Sequence, residues 1–201
     1  MKIGPKYKIA RKLRSKIFEK TQTQKYAVRE EKKLKSKPWR PKTDFGNQLN
    51  EKQKARMFYV VSEKQFRNYV TKALSDKAGS PASNLLSLLE KRLDNVVWRS
   101  GILPTHLNAR QAVAHGHFLV NGRKVYTPSY HLREGDKVSI REGSKNSKLF
   151  GDFEAKAASL QFPGWMTVNA KDKEITVKSD NVTVDGELLF DLGQVIEYYQ
   201  R

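Results

Sequence analysis

"HLNARQAVAHGHFLVNGRKV", residues 106–125, decides how the chain is read. Pro104 and Thr105 lead into a short helical stretch that Gly116 closes, because glycine accepts the left-handed conformation that ends helices. "FLVNGRKVY" (118–126) then sets Asn121-Gly122 between two short apolar runs, which predicts a hairpin with a type I′ turn. A helix running straight into a basic hairpin presents donors from two elements to one partner. The stretch also holds His106, His115 and His117, three of the chain's four histidines, and His131 follows shortly after.

Clustered imidazoles raise the question of a metal. The spacing His115-x-His117 suits zinc ligation. The other histidines lie on a different turn and beyond the hairpin, and no carboxylate stands at ligand spacing. No metal or cofactor is therefore expected. A polyanion fits better: Arg110 and Gln111 lie on the helix, His115 and His117 at its end, and Arg123 and Lys124 on the hairpin. Arginine grips phosphate with two parallel hydrogen bonds, and a neutral histidine still donates one hydrogen bond and stacks on a base.

Working outward, the charge supports the same class of partner. The 201 residues carry a net charge of +18. Residues 1–56 hold 19 Lys/Arg against 5 Asp/Glu, residues 57–152 hold 15 against 8, and residues 153–201 hold 5 against 8. Such a field calls for a polyanion or an anionic membrane, and the weak amphipathicity of residues 1–44 speaks against the membrane. There is no cysteine, so disulfides and thiolate metal sites are excluded. No apolar run reaches the roughly 20 residues of a spanning helix. Residues 1–18 lack a signal-peptide apolar core, so an intracellular protein is expected. Neither a phosphate-binding glycine loop nor a G-x-S-x-G elbow occurs, and the acidic residues sit mostly beside Lys or Arg. An enzyme is not expected.

Residues 1–44 are basic with few apolar positions, and "REEKKLKSKPWRPK" (29–42) breaks helix at Pro38 and Pro41. Alone, this segment is expected to be largely disordered. "SEKQFRNYVTKAL" (62–74) opens on Ser62 with Gln65 three residues on, a capping box. Phe66, Tyr69, Val70, Ala73 and Leu74 follow at helical spacing. "NLLSLLEKRLDNVVWRSGI" (84–102) reads as one helical stretch with Leu85, Leu89, Leu93, Val96 and Val97 as its stripe, ended by Gly101. Asp94 is expected to pair with Arg92, Arg99 or a backbone amide. "REGD" (133–136) is a turn and "KVSIRE" a strand. "NSKLFGDFEAKAASL" (146–160) reads as helical, interrupted near Gly151. "WMTVN" and "EITVK" form a second hairpin, "NVTVDG" a further short strand, and "ELLFDLGQVIEYYQR" a helix or a strand plus helix.

Residues 90–142, from "EKRLDNVVWRSGI" through "KVSIRE", resemble the S-four RNA-binding domain. "GPKYKIARKL", "DFGNQLNEKQKARMFY", "EKQFRNYV" and the closing "VIEYYQR" resemble the bacterial-type small-subunit ribosomal protein of that name, in order and over nearly the full length. Pseudouridine synthases share the domain, but they need a catalytic domain for which the 59 residues after Glu142 are too few.

The resemblance implies an α+β fold. A helical domain carries an inserted S-four (alpha-L type) domain, an antiparallel sheet with helices on one side, behind a basic extended N-terminus. The implied division is a basic extension over 1–44, a helical domain over 45–89 plus 187–201, and an S-four domain with a C-terminal hairpin over 90–186. The implied function is a primary, non-enzymatic binder of 16S-type small-subunit rRNA at its 5′ domain, with an influence on translational accuracy. The implied partners are that rRNA, mRNA near the entry site and the neighbouring ribosomal protein S-five, in the cytoplasm of a bacterium or in an organelle. By position the implied rRNA contacts are Lys52, Lys54, Arg56, Arg67, Arg92, Arg110, His115, His117, Asn121, Arg123 and Lys124. Lys37, Arg40 and Lys42 are the implied mRNA-entry residues. Many relatives carry N-terminal cysteines that bind zinc; this chain has none, so packing and RNA contacts must organise its N-terminus.

Overall fold

The computed structural model describes residues 3–34 (31–34 by backbone alone), 43–151, 153, 160–179, 182 and 188–201. Two compact units emerge: Met1–Leu85 with Leu188–Arg201, and Leu86–Glu187.

In the first unit, α1 (Lys6–Leu13) and α2 (Gln24–Leu34) flank a short 3₁₀ turn at Glu19–Thr21. Regular structure here departs from the disorder expected of residues 1–44. The reason is a small satellite core of Ala10, Leu13, Ile17, Phe18 and Tyr26, with Ile3, Ile9 and Met57 packed against it. Its members come from two short helices and the turn between them, so no single window of sequence shows the period. The left-handed Arg14 (φ 51°) closes α1.

Helix α3 (Asp44–Phe58) is capped by Thr43, whose hydroxyl accepts from the Gly46 amide. Helix α4 (Glu63–Ser75) starts at Ser62 as the sequence predicts, with the Ser62 hydroxyl accepting from Gln65 N at 3.4 Å. Phe66, Val70 and Ala73 are buried, while Leu74, expected in the same stripe, is exposed. The last helix, α8 (Leu192–Gln200), is capped by Asp191 and packs on α3 and α4. Gln48 donates to Glu197 and Tyr199 donates to Glu63, which ties the chain's end to these helices.

Helix α5 (Pro81–Glu90) begins on a proline, the residue suited to the first helical position, and carries the chain past the boundary between the units. The single helical stretch expected over 84–102 is in fact two helices. The chain breaks at Lys91-Arg92 and resumes as α6 (Leu93–Arg99). Arg92 takes an extended conformation and forms a β-bridge with His131. Around it Leu93 N donates to Tyr130 O and Leu132 N to Lys91 O. These bonds come from residues some forty positions away, so helical periodicity cannot foresee them. All five residues of the expected stripe are nevertheless buried, and Gly101 (φ 71°) follows the end of α6.

Helix α7 (His106–Ala114) is capped by Thr105, whose hydroxyl accepts from Asn108 N, and Gly116 (φ 70°) lies just past its end. Strands β1 (Phe118–Val120) and β2 (Arg123–Lys124) flank Asn121 (φ 49°) and Gly122 (φ 77°). Two successive positive φ values are what a type I′ turn requires. Strands β3 (Lys137–Ile140), β4 (Met166–Asn169) and β5 (Glu174–Val177) complete an antiparallel sheet of order β2-β1-β3-β5-β4. Along β1, β3 and β5 every second residue is buried. That face meets Leu93, Val96 and Val97 of α6 and Ala109, Ala112 and Val113 of α7 in one core, so these helices lie on one side of the sheet. Of the expected helical region 146–160, a 3₁₀ turn at Lys148–Phe150 is described, with Phe150 and Phe153 buried; most of its remainder lies outside the described residues, as does most of "NVTVDG".

Candidate nucleic-acid interface

Three of the expected contact residues prove to be engaged inside the protein. Lys52 is 5% exposed. Its ammonium lies 2.8 Å from Glu63 Oε1 and over the Tyr198 ring at 4.4 Å. Burial pushes the Glu63 carboxyl up, but the hydrogen bonds from Lys52 and Tyr199 and the charges of Lys52 and Arg56 outweigh it and hold the group below its ordinary value. Burial, then the hydrogen bond to Glu63, drive the Tyr199 phenol far above its own. Arg92 is 1% exposed and grips Asp94 with two bonds, Nε to Oδ1 at 3.0 Å and Nη2 to Oδ2 at 2.7 Å. Arg110 shares that carboxylate, with Nη1 3.0 Å from Asp94 Oδ2. The expectation that Asp94 pairs with Arg92 is met; Arg99 instead holds Glu90 through two bonds. Lys52 and Arg92 are thus buried and paired within the protein, as a buried charge must be to be stable.

Others are intermediate. Lys54 is half-buried against Glu51. Arg56 is half-buried, donates to Gln53 at 2.8 Å and has Nε 3.5 Å from Glu63. Arg67 stands exposed on α4. The Asn121 amide serves the turn: it donates to Asp136 at 2.8 Å and accepts from Lys137 N at 2.9 Å. Lys37, Arg40 and Lys42 lie outside the described residues.

The helix–hairpin junction behaves differently. A Cβ on Gly116 would meet Lys124 Cε and Tyr126 Cε1, each at 2.6 Å, so the end of α7 is in close contact with the arm of the hairpin. Lys124 lies 4.7 Å over the Tyr126 ring, and Tyr126 is 55% exposed. His115 is exposed; its ring centroid lies 6.1 Å from that of His117. His117 is half-buried, with Nδ1 2.9 Å from Ser144 Oγ and its ring edge-on to Phe150. Partial burial first, then the charges of His115, Arg141 and Lys124, hold the His117 imidazole below its ordinary value. Arg123, Lys124 and Arg141 are exposed, and no carboxylate pairs with them among the described residues. The result is a wet cationic surface with an aromatic ring in it, able to bind phosphates and stack a base.

Arg141 and Tyr126, which are not among the expected contacts, share this surface. Arg141 follows β3 directly, beside β1 where Arg141 N donates to His117 O, and Tyr126 stands two residues past Lys124. The alternation of strand residues could have suggested both. The remaining histidines disperse. His106 is buried and stacked on Trp98 at 3.8 Å, and burial followed by the charges of Arg99 and Arg92 holds it neutral, well below its ordinary value. His131 sits at the bridge to Arg92. Among the described residues no three His, Cys, Asp or Glu come together as a metal-binding group. No helix among them is long and apolar enough to cross a membrane.

Family models match the chain in two adjoining parts: "Ribosomal protein S4/S9 N-terminal domain" over residues 1–90 and "S4 domain" over residues 91–138. These define an RNA-binding ribosomal protein class. The chain is 41% identical to the small ribosomal subunit protein uS4 of Chromobacterium violaceum, over 99% of this chain and 98% of that protein. It is 40% identical to the protein of that name from Laribacter hongkongensis, over 98% of both. The chain belongs to the bacterial uS4 family, whose members are structural rather than enzymatic.

Proposed function

We propose that the chain is a structural constituent of the small ribosomal subunit that binds 16S-type rRNA at the 5′ domain early in assembly, in the cytoplasm. One observation carries this: Lys124 and Arg141 stand beside His117, with Lys124 over the exposed Tyr126 and Arg123 exposed next to it on β2, and no carboxylate pairs with these cations among the described residues. Cations held this way displace condensed counterions from RNA. The shape of the helix–hairpin face then selects a junction, since A-form grooves hide most base edges. On this reading the contact set is His115, His117, Arg123, Lys124, Tyr126 and Arg141, with the exposed Arg67 also contributing and Lys54, Arg56 and Arg110 contributing from more hindered positions. Lys37, Arg40 and Lys42 are proposed to face mRNA near its entry, beside ribosomal protein S-five, with an effect on accuracy.

The test is binding of the full chain to a transcribed 5′-domain RNA across about 50–200 mM salt. Arg123→Ala with Lys124→Ala is expected to flatten the log–log slope by roughly 0.7–0.9 per residue. Thermal stability should be almost unchanged, since both are exposed. A slope identical to wild type would refute the assignment of this face.

A further inference from the structure

The uncharged-looking feature of the basic N-terminal region is a pair of tyrosines. Tyr7 on α1 and Tyr26 on α2 stack, with ring centroids 5.5 Å apart and planes 22° from parallel. Tyr26 is buried, whereas Tyr7 is 48% exposed. The pair borders a cavity of about 630 Å³ that Arg11, Lys25, Arg29 and Glu30 also line. That volume lies within the roughly 300–1,000 Å³ of ligand-binding clefts.

The sequence builds this cavity from two helix faces. Tyr7 and Arg11 are four residues apart on α1; Lys25 and Arg29 are four apart on α2, with Tyr26 and Glu30 alongside. Arg11 Nε donates to Tyr7 O at 3.1 Å, which fixes the base of that side chain and leaves its terminal nitrogens over. Glu30 accepts from the Tyr26 hydroxyl at 3.5 Å and so stands at the hydroxyl edge of the buried ring. Lys25 and Arg29 are exposed, and neither meets a carboxylate among the described residues. A half-wet aromatic ring backed by a second one, with three cations around it and one carboxylate, matches a nucleotide in its parts: a flat π-face, an anionic phosphate and exocyclic amines. Aromatic platforms bordered by cations are how single-stranded nucleic acid is held without sequence readout.

We infer that this cavity holds one unstacked nucleotide of single-stranded RNA, its base extending the Tyr7–Tyr26 stack and its phosphate among Arg11, Lys25 and Arg29. The inference deepens the RNA-binding reading and rests on it for the source of the nucleotide.

The test uses the full chain with two probes, a fluorescent adenosine oligomer and the 5′-domain RNA, against Tyr7→Ala, Tyr7→Trp and the pair Lys25→Ala with Arg29→Ala. Tyr7→Ala is expected to weaken oligomer binding about fivefold or more, the scale of one lost base–aromatic stack, without changing the salt slope; Tyr7→Trp should retain affinity. The lysine–arginine pair, exposed and so safe for folding, should flatten the slope by roughly 0.7 per phosphate lost. Ultraviolet irradiation of the wild-type complex should attach a nucleotide to Tyr7. Wild-type behaviour of both Tyr7→Ala and the Lys25/Arg29 variant on the oligomer would overturn the site, even with 5′-domain binding intact. Tyr7-dependent oligomer binding alongside a failure to bind the 5′-domain RNA would instead sink the rRNA reading and leave the cavity standing. AMP alone binding as tightly as the oligomer would overturn RNA as the source.

Discussion

Two basic clusters in the second unit look alike in sequence and differ in the structure. Around residues 90–110, Arg92 and Arg110 converge on Asp94, and Arg99 clasps Glu90. Around residues 115–141, Arg123, Lys124 and Arg141 meet no carboxylate among the described residues and stay wet. The difference is the presence of an acid within hydrogen-bond reach, and with it burial. The first cluster stabilises the fold by fixing the break between α5 and α6. The second keeps its field for a partner. A net charge therefore says that a polyanion is bound, and only the carboxylates say which cations bind it.

The strongest way to break this comparison is to remove the shared acid. Asp94→Ala removes the carboxylate that the buried Arg92 holds with two bonds, and should lower the unfolding free energy by about 3–5 kcal/mol in a denaturant titration. Replacing the pair together, Arg92→Met with Asp94→Leu, should cost less, because the buried guanidinium leaves with its acid and only the half-buried Arg110 loses a partner. A near-neutral Asp94→Ala would mean that Arg92 is not held inside, and would return it to the RNA-facing set.

A second test separates the geometry of the wet cluster from its charge. Gly116 and Gly122 share a left-handed backbone, φ 70° and 77°. A Cβ at Gly116 would strike Lys124 and Tyr126, whereas at Gly122 it meets nothing within 4 Å. Each glycine-to-alanine change should cost about 1–2 kcal/mol of backbone strain, seen in thermal melts. Only Gly116→Ala should also weaken RNA binding, because it displaces Lys124 and Tyr126. Equal RNA affinity of the two variants would show that the α7–hairpin contact is incidental.

Much of this is legible in the sequence itself. Ser62 and Thr105 cap their helices, and Asn121-Gly122 makes the turn that its two positive φ values require, because these are local events decided by a few adjacent residues. Burial of charge was not legible in the same way. Lys52 is held by Glu63, eleven residues on, and by Tyr198 from the other end of the chain. Arg92 shows the subtler case. Its partner Asp94 is two residues away and the pairing can be read from the sequence, but the burial comes from the bridge to His131 and the bonds of Leu93 and Leu132, which only the tertiary fold supplies. The N-terminal helices escaped for a related reason: their small core draws one or two residues from each of several short elements.

The smallest effect is the most discriminating, since it reads the two clusters through their histidines with opposite signs. His106, buried on Trp98, has its imidazole well below the ordinary value of 6.5, so on acidification the unfolded chain takes up a proton that the folded one refuses. Its contribution is intact above that value and is lost as pH falls toward the folded-state value; His106→Phe should flatten part of the decline in stability. His117 is also lowered, first by partial burial and then by neighbouring charges that include the cations Arg141 and Lys124. RNA phosphates at that face would oppose those cations and raise the imidazole in the complex, so binding takes up a proton. Affinity for the 5′-domain RNA should then rise as pH falls through the bound-state value, and level off below the free-protein value. Because the group is half-solvated, the gain should not exceed about fivefold, and His117→Ala should abolish it while leaving the acid loss of stability from His106 in place. An RNA affinity that is flat between neutral and mildly acidic pH in the wild type would place the phosphates away from His117, and would move the interface off the helix–hairpin junction.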